Sequence, residues 1–94
     1  MDNTLDNIKE VFPTLANNPS LAYFDSAAST QTHYSVLKAM NKYYEHERCN
    51  VHRGDYALSR SVSDKVDLAR EQVAELIGVT ADQIIYTCNA SNSI

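Results

Sequence analysis

Tryptophan is absent from this 94-residue chain, and glycine stands at only two positions, Gly54 and Gly78. So small a glycine supply leaves no GxGxxG fingerprint and no P-loop, the glycine-rich devices that cradle a nucleotide phosphate, and no HExxH zinc motif occurs either. Cysteine is equally scarce. Cys49 and Cys88 stand 39 positions apart with no CxxC pair and no histidine at ligand spacing, so both read as free thiols of a reducing compartment. Long apolar runs are missing: none approaches the roughly 20 residues that cross a bilayer. The opening MDNTLDNIKE is acidic and lacks the charged-then-apolar pattern of a signal peptide. Runs of positive charge are missing too. Lys9, Lys38, Lys42, Arg48, Arg53, Arg60, Lys65 and Arg70 are scattered and the net charge is −4, which gives no tract for a phosphate backbone. These absences point to a cytoplasmic protein that binds neither nucleic acid nor membrane.

What is present is an ordinary globular composition, 44% hydrophobic and 21% charged, in a chain long enough for one small domain. Leu5, Ile8, Phe12 and Leu15 recur at steps of three and four. They predict a short amphipathic helix, capped by Asp2 or Thr4 and stopped near Phe12 by Pro13. ANNPS is turn chemistry, and LAYF (21–24) predicts a short strand. Thr32 or Ser35 opens a second helix whose apolar face, Val36, Met40 and Tyr43 with Leu37 and Tyr44 beside them, runs to about Arg48. The clearest helix carries Val62, Val66, Ala69, Val73 and Ile77. Ser61 with Asp64 gives it a cap-like start, and Gly78 suits a left-handed end. QIIYT (83–87) predicts a buried strand. Two short strands make only a marginal sheet, so the pattern reads as part of an α/β domain whose other strands lie elsewhere.

Three stretches could carry chemistry. In QIIYTCNASNSI a strand, a polar turn and a helix start would gather free backbone N–H groups where α/β proteins hold phosphate, with Asn89 tolerating the left-handed region and Ser91 offering a hydroxyl. The plain alternative is a strand-to-helix turn capped by Asn89 or Ser91. In NVHRGDYALS (50–59), His52 is suited to acid–base work and Arg53 to bidentate contacts with carboxylate or phosphate. The plain alternative is a solvated loop in which His52 caps a helix end and Arg53 pairs with Asp55 or Glu47. DSAAS (25–29) has no local base, and its alanines suit close approach of backbone or ligand. His33 and His46 read as surface helix residues, and Tyr43 and Tyr44 as packing aromatics.

Together, YFDSAASTQ (23–31), NVHRGDYALS (50–59), AREQVAELIGV (69–79) and QIIYTCNAS (83–91) have the order and spacing found at the start of cysteine desulfurases. The likeness to the SufS-like branch of these class-V aminotransferase enzymes covers about Leu5 to Ile94. DSAAS and VHRG at this separation are its most specific elements. The resemblance implies the N-terminal segment of a pyridoxal 5'-phosphate-dependent fold of type I, an α/β architecture with three helices and two short strands here, incomplete as a domain. It also implies a homodimer that takes sulfur from L-cysteine for iron–sulfur cluster assembly, leaving alanine and an enzyme persulfide.

Carried over by position, Ala27 and Ala28 resemble the substrate-side wall. His52 and Arg53 match the His-Arg of the active-site rim, and Ala90 and Ser91 sit where two threonines bind the cofactor phosphate. The family turn reads Gly-Thr-Thr-Glu-Gly against Asn89-Ala90-Ser91-Asn92-Ser93, and a second family histidine is Tyr56 here. No catalytic residue is expected in this chain. The cofactor lysine, the aspartate for the ring nitrogen, the stacking histidine, the carboxylate-binding arginine and the persulfide cysteine all come later in such enzymes. Little or no cofactor binding is therefore expected of the chain alone. The alternatives are another class-V enzyme, kynureninase-like or an epimerase, and a non-catalytic interaction module of the same descent.

Overall fold

A computed structural model describes residues 7–94, which fall into two compact units, Met1–Arg48 and Cys49–Ile94. Four α-helices are present among the described residues, and no strand.

In the first unit, a 3₁₀ turn over Ile8–Val11 is followed by a one-turn helix α1, Pro13–Ala16. The first helical turn ends at Val11, near the expected stop at Phe12, and Pro13 then starts the next helix. Phe12 is extended (φ −113, ψ 103), as the residue before proline prefers, and Pro13 takes the first helical position, where its missing N–H costs nothing. The anticipated contributions of Asp2, Thr4 and Leu5 lie outside the described residues. Helix α2, Tyr34–Lys42, is opened by His33 rather than by Thr32 or Ser35: the His33 ring Nδ1 accepts the Ser35 N–H at 3.0 Å. His33 is thus a cap, and its ring also meets Phe12 edge-on at 5.5 Å. A π-helical turn, Tyr43–Glu47, continues α2 to Arg48, close to the expected end, and Tyr43 and Tyr44 pack edge to face.

The second unit is built on the 21-residue helix α3, Ala57–Ile77. Its N-cap is Tyr56, five residues before the Ser61 cap that the sequence suggested, and Tyr56 supplies no side-chain cap. Its end is as expected. Gly78 is left-handed (φ 79, ψ 31), and the paired bonds Gly78 N–H to Glu75 O and Val79 N–H to Ala74 O close the last turn. The buried line along α3 differs from the apolar one. Ser59, Val62 and Ala74 are buried, with Val66 and Arg70 half-buried between them, whereas Val73 and Ile77 are exposed.

The two expected strands do not form. Residues 21–24 and 84–87 have no ladder partner among the described residues, and Gln83 belongs to a 3₁₀ turn, Ala81–Gln83, closed by a capping box between Thr80 and Gln83. A β-branched run becomes a strand only where another backbone offers its N–H and C=O groups, and none of the described residues does so. Ile84 is extended (φ −94, ψ 125) and buried, while Ile85 faces outward.

Arg70 takes the place of a pairing strand. It donates to the Ile84 carbonyl at 2.5 Å and stacks 4.7 Å from the Tyr86 ring centroid. Replacing Arg70 by alanine is expected to loosen this segment by about 1.5–3 kcal/mol, the worth of a hydrogen bond from a charged donor. Amide exchange at Ile84, whose N–H is bonded to Ala81 O, reads it out. The last helix, α4, is Ala90–Ser93. No helix among the described residues is long and apolar enough to cross a membrane.

Candidate functional site

The loop 50–56 is fastened to the start of α3 by a set of local bonds. Buried Ser59 donates to the Asn50 carbonyl, and the Asn50 N–H donates to the Tyr56 hydroxyl at 3.2 Å. Tyr56, standing at the second family histidine, therefore closes the loop. Arg60 reaches back to Asp55 at 3.1 Å. The His52 N–H donates to Ser63 Oγ at 2.8 Å, and its ring Nε2 lies 3.1 Å from Asp67 Oδ1.

His52 is the only non-glycine residue with positive φ among those described (φ 65). A left-handed residue with a Cβ costs on the order of 1–3 kcal/mol and persists only where its surroundings hold it. Here the bonds to Ser63 and Asp67 do so. The turn therefore does not run through a left-handed Gly54. Glycine is required there because of space: a Cβ on Gly54 would lie 2.5 Å from the Tyr56 ring and 2.6 Å from Ser59 Oγ. Gly54→Ala is expected to destabilise the loop by about 1–3 kcal/mol, the usual cost of overpacking, seen as faster exchange of the Asn50 amide.

The loop is solvated at His52 and Arg53, as its plain alternative has it, but the expected helix cap and Arg53–Asp55 pair are not formed. His52 caps no helix, and Arg53 does not pair with Asp55, which Arg60 holds. The Arg53 guanidinium has no hydrogen bond or ion pair among the described residues, and its side chain is exposed.

At the other end of this unit, Asn89 is extended (φ −170) rather than left-handed, and its side chain accepts the Asn92 N–H at 2.8 Å. It is the cap of α4, as the plain alternative for this turn has it. The Asn92 side chain in turn accepts the Cys88 N–H, and Thr87 and Ser93 share a hydroxyl contact at 2.6 Å. This leaves the N–H groups of Ala90 and Ser91 and the Ser91 hydroxyl without partners among the described residues. Two adjacent backbone donors and one hydroxyl at the start of a helix fit a phosphate group. No hydrogen bond joins this turn to the His52 loop among the described residues.

Ala27 and Ala28 belong to the first unit. The Ala28 and Ser29 N–H groups both turn back to Asp25 O, at 3.1 and 3.0 Å, and the Tyr23 hydroxyl donates to Ser29 O. The two alanines are exposed on this turn. Both cysteines are free, and no group of three or more His, Cys, Asp or Glu that could hold a metal occurs among the described residues.

A chain with a small-residue turn, an anchored His-Arg loop and a turn with free backbone donors, in this order, belongs to the class-V aminotransferase family, whose profile matches residues 22–94. Its curated relatives include cysteine desulfurases. The cysteine desulfurase SufS of Plasmodium falciparum is 40% identical over 82 residues, covering 86% of this chain and 15% of that protein. A probable cysteine desulfurase of Vibrio cholerae is 39% identical over 94 residues, covering 96% of this chain and 23% of its own length. The apo structure of a cysteine desulfurase from Thermococcus onnurineus superposes with a TM-score of 0.83 at 36% identity, over 94% of this chain and 21% of the other. The chain thus corresponds to a segment of these enzymes, spanning between 15% and 24% of the curated relatives' length.

Ser59, Ser63, Asp67 and Arg70 were not singled out as functional from the sequence. A periodicity count treats them as polar filler on α3, and the one signal available was their spacing of 4, 4 and 3 along a single helix.

Proposed function

We propose that this chain is the N-terminal portion of a pyridoxal-phosphate-dependent cysteine desulfurase that converts L-cysteine to L-alanine and an enzyme persulfide. Residues 1–94 are the opening segment of its class-V domain, in a homodimeric cytoplasmic enzyme serving iron–sulfur cluster assembly. The observation that carries this reading is Arg53. It is an unpaired guanidinium beside a histidine held in a costly backbone conformation, on a loop whose His52 and Asp55 are held by Asp67 and Arg60 of α3. Strain of this kind concentrates at binding and catalytic sites.

Bound pyridoxal phosphate supplies an electron sink for the substrate's α-carbon. This chain's residues bind and orient. The Ala90 and Ser91 N–H groups and the Ser91 hydroxyl hold the phosphate. Ala27 and Ala28 give a wall with little side-chain bulk beside the substrate. His52 and Arg53 offer a ring nitrogen and a fork of donors at the rim. None of Lys9, Lys38, Lys42 and Lys65 matches the family's cofactor lysine, so the chain alone does not catalyse. The apolar side chains left outside, Phe24 at 94% exposure and Leu76 and Ile85 at 84% each, suit a segment that further parts of the same domain cover.

Coding DNA on the far side of the Ile94 codon, read in all three frames, tests this. The expected result is continuation into the class-V domain with its cofactor lysine. Unrelated sequence in every frame would refute it.

A further inference from the structure

Two residues of α3 hold His52 in ways that its place at the rim does not by itself require. Ser63 and Asp67 are four positions apart, so they stand one turn apart on the same helix face. Ser63 Oγ takes the His52 N–H at 2.8 Å, and Asp67 Oδ1 lies 3.1 Å from His52 Nε2. One residue is thereby fixed at its backbone and at the far end of its ring by a single rigid element. A carboxylate only accepts hydrogen bonds, so Nε2 carries the proton in this contact. In the neutral ring the lone pair then sits on Nδ1, which has no partner among the described residues.

We propose that Ser63 and Asp67 are positioning residues for His52. Ser63 holds its backbone in the left-handed region, and Asp67 fixes the neutral ring as the Nε2–H tautomer, leaving Nδ1 to accept a hydrogen bond from the ammonium or thiol of an amino-acid substrate. The role of Nδ1 rests on the desulfurase reading; the clamp itself does not. The pair's side chains are 50% and 62% exposed, so the carboxylate acts as an orienting acceptor that solvent partly screens.

The test uses the 94-residue chain with ¹⁵N-labelled histidine, in the cold, at a pH where imidazole is neutral. Long-range ¹H–¹⁵N spectra give the tautomer ratio of His52, and amide exchange gives the state of its N–H. Asp67→Ala is expected to lower the Nε2–H to Nδ1–H ratio about two- to fivefold, as an exposed pair allows. Asp67→Asn, whose amide oxygen still accepts, should keep the wild-type ratio. Ser63→Ala should speed exchange of the His52 amide about fivefold, the loss of one ordinary hydrogen bond. Asp67 is exposed in mid-helix, where alanine is the best helix former, so circular dichroism should be unchanged.

An unaltered ratio in Asp67→Ala overturns the proposal. So does an asparagine that behaves like alanine, or a wild-type His52 amide that exchanges as in an unfolded chain. The last reading needs no variant and decides the matter even if the substitutions unfold the helix. No cofactor or substrate enters these measurements, so they succeed or fail independently of the coding-sequence test of the desulfurase reading.

Discussion

Heated alone, the 94-residue chain is expected to lose its helices gradually, without a sharp two-state transition at micromolar concentration, and to bind a hydrophobic dye while still helical. Among the described residues only Val62, Ala74 and Ile84 form a buried apolar core, with Ser59 beside them. Full burial of a large apolar side chain contributes about 1.5–3 kcal/mol. Ordering each residue of backbone costs about 1–2 kcal/mol. Three buried apolar residues cannot offset that cost over 88 positions (94 less the six outside the described range) with enough margin for cooperativity. Helix α3 persists in the cold because its long run of good helix formers, its Gly78 closure and the loop bonds are local. A sharp transition with coincident calorimetric and dichroism midpoints would show that the exposed apolar side chains are not waiting for a cover.

Arg53→Ala is expected to lower kcat/KM for L-cysteine about 10- to 100-fold when this chain replaces the matching segment of the Vibrio cholerae relative. A hydrogen bond to a charged donor is worth about 1.5–3 kcal/mol, and each 1.4 kcal/mol is tenfold. Arg53 loses no internal partner on truncation, since it has none among the described residues, so the chimera should melt at the same temperature. Arg53→Lys should recover only part of the activity, because a single ammonium does not reproduce the planar fork. Unchanged kcat/KM in a folded Arg53→Ala chimera would remove Arg53 from the site.

Several local signals in the sequence translated into structure, although the caps expected at Thr32 or Ser35 and at Ser61 did not. Gly78 closes α3 in the left-handed region, the Val36–Tyr44 face becomes α2 and its π turn, and ANNPS is a turn in which Asn18 bonds back to Thr14. Signals that depend on distant partners did not. LAYF and QIIYT have strand composition, but a ladder needs a second backbone, and within this chain Arg70 holds residues 84–86 instead. The stripe Val62–Val66–Ala69–Val73–Ile77 was legible as apolar, yet its C-terminal half is exposed, because periodicity reports what a face is made of and not what covers it.

At the candidate site, the resemblance pointed to His52 and Arg53 as rim residues and to Ala90 and Ser91 as phosphate-side residues. It did not show that His52, rather than Gly54, takes the left-handed turn, or that the room for Gly54 is filled by Tyr56 and Ser59. Steric exclusion by a residue five positions on is invisible to any one-dimensional pattern. Likewise, Asn89 was legible as a turn residue, but its extended capping role depends on the Asn92 amide three residues later.

Alanine formation from L-cysteine by the Vibrio cholerae chimera carrying this chain tests the central claim most directly. The account predicts a cooperative fold and stoichiometric release of alanine with sulfur transferred to the enzyme, at a rate within about tenfold of the parent, allowing about 1.4 kcal/mol for imperfect fit. A chimera that folds and dimerises like the parent but forms no alanine would contradict it.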